Sequence, residues 1–140
     1  MAQYSQTALQ LVAENQNVLF TETQVRGNKC IMHRDGSGIV TLKAGNARCK
    51  ALYLVSFNGN IAVPTGGTVG EISLAISIEG EALGSATMVT TPTVVEAFEN
   101  VAATVVIPVP VGCCVTVSVR NTSDQPINVE NANLVIGRIA

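Results

Sequence analysis

Residues 101–119 read V-A-A-T-V-V-I-P-V-P-V-G-C-C-V-T-V-S-V, with no charged side chain and a majority of β-branched ones. Successive side chains of a strand point to opposite faces, so Ala103, Val105 and Ile107 lie on one side and Ala102, Thr104 and Val106 on the other. Neither side is polar. A strand apolar on both faces is covered on both, whereas a half-exposed antiparallel strand alternates apolar with polar residues. One face is therefore expected to line a β-sandwich core and the other to pack against copies of the same chain. The break at Pro108-Val109-Pro110-Val111-Gly112 reads as a turn at one end of the sandwich between two hairpin strands, since proline at a strand end costs no ladder hydrogen bond.

The chain has 140 residues, enough for one domain with a real core. Apolar residues make up 47% and charged residues 13%, about half the ~25% usual in soluble domains, which leaves little charge to coat a free monomer. Twelve glycines and abundant Val, Ile and Thr favour strands and turns over helices. The longest uncharged run contains two prolines, so it reads as buried strands and not as a spanning helix of about 20 apolar residues. No membrane partner is expected. The first residues, M-A-Q-Y-S-Q, lack the basic and apolar regions of a secretory signal. A net charge of −2 and only Lys43, Arg48 and Lys50 near a basic stripe argue against nucleic acid.

About nine or ten short strands are expected. Residues 16–23 form the first, residues 30–34 and 39–42 a hairpin about Asp35-Gly36-Ser37-Gly38, and residues 51–63 a strand with Tyr53, Val55 and Phe57 inward and Leu52, Leu54 and Ser56 outward. In residues 68–79, Ile72, Leu74, Ile76 and Ile78 face the core, while Ser73, Ala75 and Ser77 form a small polar face. Residues 82–90 pair back on it. Asn121-Thr122-Ser123 fits a glycosylation pattern but reads as a turn. Residues 127–140 close the chain in an apolar strand tucked into the sheet, which leaves the N-terminus as the free end. The expected fold is an all-β antiparallel sandwich of jelly-roll topology. The expected organisation is an N-terminal arm, 1–15, and a jelly-roll domain, 16–140. In that arm Tyr4, Leu9, Leu11 and Val12 are the candidate attachment residues, against the alternative of a strap across the domain's own sandwich.

No catalytic set is visible. His33 is the only histidine, which argues against a histidine-rich metal centre. With Asp35 and Ser37 it supplies triad residue types inside one tight hairpin that lacks a nucleophile elbow, so it reads as structural. Cys30, Cys49, Cys113 and Cys114 lack metal-ligand spacing and are expected to be reduced. The glycine-rich turns lack the lysine and helix of a phosphate loop. No enzyme activity and no cofactor are expected.

Asn17-Val18-Leu19-Phe20, Gly36-Ser37-Gly38-Ile39 leading to Leu42, Tyr53-Leu54-Val55-Ser56-Phe57-Asn58-Gly59-Asn60 and Ala132-Asn133-Leu134-Val135-Ile136 together resemble the trimeric jelly rolls of the tumour necrosis factor (TNF) and complement globular-head superfamily. Within it, the chain looks most like tailed-phage capsid decoration and head-fibre proteins and the C-terminal domains of exosporium filaments. The resemblance spans most of residues 16–140. It departs in having no collagen-like stalk and in a Val, Ala and Ile seam where the family's is rich in aromatics. It implies a homotrimer, with Ala102, Thr104, Val106, Thr116 and Ser118 as candidate seam residues. It also implies a cofactor-free structural role on the exterior of a virion assembled in the bacterial cytoplasm, with a major capsid protein as partner. The alternatives are a fibre-tip module that binds a surface glycan or receptor, and an exosporium surface protein.

Overall fold

The computed structural model describes residues 1–45, 49–112 and 114–140. Among them are eleven strands and no helix: β1 Ala2–Gln6, β2 Gln10–Val12, β3 Glu22–Val25, β4 Ile31–His33, β5 Val40–Lys43, β6 Lys50–Ala62, β7 Ile72–Ile78, β8 Glu81–Thr90, β9 Glu99–Pro110, β10 Cys114–Asn121 and β11 Ile127–Arg138. They form two antiparallel sheets, one of six strands in the order β3-β1-β11-β6-β9 with β2 also on β11, the other of five in the order β4-β5-β10-β7-β8. The expected all-β sandwich is the observed one.

The core follows from two-residue alternation. On β6, Ala51, Tyr53, Val55 and Phe57 are buried, and they meet Leu134 and Ile136 of β11 and Ile107 and Val109 of β9. Phe20 packs edge-on against Phe57, with ring centres 6.3 Å apart. From the other sheet come Val40, Leu42, Leu74, Ile76, Val117 and Val119.

Several local expectations are corrected. The N-terminal segment is no loose arm: β1 lies between β3 and β11, with Ala2 opposite Ile136 and Tyr4 opposite Leu134. Both ends of the chain thus enter one sheet, and β1 and β2 raise the strand number above nine or ten. Residues 16–21 form no regular strand and β3 begins only at Glu22; Asn17 makes a single bridge to Arg120, and Val18 and Phe20 are buried. Gly38 permits this, because a Cβ there would stand 2.7 Å from the Asn17 Cβ and 2.8 Å from the Val18 carbonyl oxygen. β7 begins only at Ile72, and its supposed polar face is covered: Ala75 and Ser77 are fully buried. Arg120, opposite Ala75, reaches the Gly80 carbonyl, so its side chain runs over the Ser118–Ser77 pair. β9 and β10 are not a hairpin. β9 pairs with β6 in one sheet and β10 with β5 and β7 in the other, so the connection between them crosses between layers, and Pro108 and Pro110, expected in a turn, lie within β9 itself.

Asn121 is the polar centre of the fold. It is fully buried, its Nδ2 donates to the carbonyls of Val12 and Gln125, both at 3.0 Å, and its Oδ1 accepts the Ser123 amide at 2.8 Å. A side chain so committed is closed to glycosylation in the folded state.

Tyr53 donates to the Lys43 carbonyl at 2.6 Å. Burial first, then the neighbouring Cys30, push its pKa up against a smaller pull from Arg138. Tyr4 is also raised, by burial and by Asp35, against the lowering effect of the Gly27 backbone hydrogen bond. An unfolded tyrosine ionises near pH 10, while these two hold their protons in the fold. The contribution to stability is full below about pH 10 and is lost as pH rises through the raised folded values. Thermal melts above pH 10 should show a steeper decline for the wild type than for Tyr53→Phe, and identical slopes would contradict the assignment.

Candidate functional site

The outer face of the six-stranded sheet is laid out in cross-strand rows on β11, β6 and β9. Lys50 stands opposite Pro110 and Leu52 opposite Pro108; Gly137, Leu54 and Val106 form the next row, followed by Val135, Ser56 and Thr104, then Asn133, Asn58 and Ala102, then Glu130, Asn60 and Asn100. No side chain in the rows from Leu52 to Asn58 is ionisable; Lys50 flanks one end and Glu130 the other. Leu54 is 39% and Val106 46% exposed, and Ala102, Thr104 and Pro108 are exposed as well. One half of the face is therefore aliphatic. The other is amide-rich and internally bonded: Asn100 donates to Asn60 at 3.1 Å, Asn60 to Asn131 at 3.2 Å and Gln3 to Asn133 at 2.8 Å. Thr104 and Ser56 join at 3.1 Å between the halves. The stretch between Lys50 and Glu130 makes this face the candidate interaction surface.

The free edge of β9 is partly blocked. Pro108 and Pro110 pair with Leu52 and Lys50, and because proline has no N–H these must be non-hydrogen-bonded pairs. The even-numbered residues thus turn their backbone groups outward, and at Pro108 and Pro110 that edge offers no donor.

The expected seam residues divide. Ala102, Thr104 and Val106 lie together on this face. Thr116 and Ser118 do not join them, because β10 belongs to the other sheet; they point outward on the opposite side of the sandwich, and Ser118 is only 4% exposed. Leu52, Leu54 and Val135 complete the face. The alternation that placed Leu52 and Leu54 outward could have nominated them.

Of the expected attachment residues, Tyr4 and Val12 are buried. Tyr4 stacks on His33 with ring centres 4.3 Å apart. Leu9 and Leu11 are 55% and 64% exposed. Gln10 between them accepts the Leu19 amide at 2.9 Å and donates to the Leu19 carbonyl at 3.0 Å, which brings exposed Leu19 beside them. Leu19 in turn lies against Gly38, next to exposed Ile39.

His33 donates Nε2–H to the Ser37 carbonyl at 2.8 Å, within its own hairpin. No group of three or more potential metal ligands occurs among the described residues. Cys30 and Cys49 are free thiols, while Cys113 and Arg48 lie outside the described residues. A depression between residues 68–73 and 122–125 is polar, but its groups satisfy one another: Ser73 N–H donates to Ser123 at 2.8 Å, and Gln125 bonds both backbone groups of Thr68.

No protein-family model and no curated protein sequence matches the chain. Its two sheets define a TNF-like jelly roll. The solved structure of murine APRIL superposes with a TM-score of 0.67 at 12% identity, covering 99% of this chain and 98% of that one. Eiger TNF from S. frugiperda does so with a TM-score of 0.71, also at 12% identity, covering 99% of this chain and 91% of that one. Identity this low carries the fold alone.

Proposed function

We propose that the protein is a non-catalytic structural component of a virion, a homotrimeric decoration protein bound to the exterior of a tailed-phage capsid. The observation that supports this most is the outer face of β6, β9 and β11, which carries no ionisable side chain in the rows from Leu52 to Asn58. Three copies meeting there would cover Leu54, Val106 and Ala102. The exposed aliphatic group of Leu9, Leu11, Leu19 and Ile39 lies at the far end of that sheet, where β2 puts Leu11 opposite Asn128 beyond the amide-rich rows, and serves as the contact with the major capsid protein. A ligand that binds only the assembled shell adds to the shell's stability.

Capsids carrying the protein should therefore withstand heat and low salt better than capsids without it. Leu9→Glu/Leu11→Glu should abolish co-sedimentation with the shell while leaving the trimer intact. Equal disruption temperatures with and without the protein would overturn the stabilising role.

A further inference from the structure

On the side of the sandwich away from β8 and β9, the two sheets end in β3 and β4, and a pocket of about 340 Å³ opens between them. Its floor contains the stacked Tyr4 and His33 rings. Its rim carries Thr23, Arg26, Asn28 and Asp35, with Met32, 42% exposed, on the wall. We propose that this pocket binds a neutral polyhydroxylated ligand, a single pyranose unit of a saccharide, independently of the assembly surface.

The rim holds one cation, Arg26, and one anion, Asp35, so it offers no net attraction to a simple ion. What it offers is donors interleaved with acceptors. Asp35 accepts the Thr23 hydroxyl at 2.6 Å through one oxygen and keeps the other for a ligand. Asn28 uses its Oδ1 on the Cys30 amide at 2.8 Å, which leaves its amino group to donate beside the Arg26 guanidinium. Adjacent ring hydroxyls, each both donor and acceptor, fit such a rim. The frame is already rigid. His33 is fixed by its bond to Ser37, and Gly27 is held so close to Ile31 that a Cβ would stand 2.6 Å from the Ile31 carbonyl oxygen. A ligand entering it pays little ordering entropy.

The test is saturation-transfer NMR with the methyl glycosides of glucose, galactose, N-acetylglucosamine and rhamnose. The proteins compared are the wild type, Arg26→Ala, Asp35→Asn and the distant control Glu71→Gln. At least one glycoside should receive saturation from the wild type and the control, with affinity about tenfold weaker in each rim variant, the loss of one charge-assisted hydrogen bond. Both rim residues are exposed, and asparagine at position 35 can still accept from Thr23, so the fold survives the changes. No transfer to any of the four probes would overturn the proposal, as would transfer that survives both rim substitutions. Binding of glycine or inorganic phosphate in place of the glycosides would also overturn it.

Discussion

Val106→Glu should convert a species of three chain masses into single chains, read by sedimentation at micromolar protein. Val106 is 46% exposed in the isolated chain and sits between the aliphatic and mixed rows of the outer face of β6, β9 and β11. In a threefold seam the substitution buries three carboxylates near one another, with no basic side chain on the rows around them. An unpaired buried charge costs about 3–5 kcal/mol, and like charges add repulsion. The summed penalty of about 10 kcal/mol exceeds what a modest interface supplies. Val89→Glu makes the matching control, because Val89 is 52% exposed on β8 of the other sheet. It should leave the assembly unchanged. A wild-type chain that sediments alone, or a Val106→Glu variant that stays trimeric, would remove the assembly surface from consideration.

Asn121→Ala should lower the stability of the fold by about 3 kcal/mol or more, measured from the urea midpoint. The substitution strands the buried Val12 carbonyl and takes the partner from the half-buried Gln125 carbonyl and Ser123 amide. Each such loss costs about 1–3 kcal/mol, against a total of about 5–15 kcal/mol for a domain. Because Asn121 also ties residues 12–16 to the turn before β11, the N-terminal strands should loosen first and lose amide protection ahead of β6. A midpoint shift worth less than about 0.5 kcal/mol would mean that Asn121 is not the clamp its geometry indicates.

The parts of this fold that sequence reading recovers are those governed by local alternation. Tyr53 and Phe57 inward with Leu54 and Ser56 outward, the β7–β8 pairing, and the turn about Gly36 all follow from neighbours within a few residues. The burial of Tyr4 depends on Leu134, a partner at the other end of the chain, so residues 1–15 by themselves leave an attachment arm and a strap across the sandwich equally open. Thr116 and Ser118 were joined to the wrong surface for a related reason. Residues 101–119 look like one hairpin, but β9 and β10 belong to different sheets, and a layer change leaves the two-residue period on either side intact. Ser77 shows a third limit: short polar residues read as exposed unless one knows that Arg120 lies over them.

The two prolines on the rim of β9 bear on how large an assembly can become. Joining sheets edge to edge is open-ended, since every added strand presents a fresh rim for the next. With Pro108 and Pro110 withholding donors there, copies that associate are steered towards meeting broadside, a geometry that can close on itself after a few members. In a chain this rich in valine, the two missing donors that weigh against such growth come from residues that, in the sequence, look like an interruption of its most strand-like stretch.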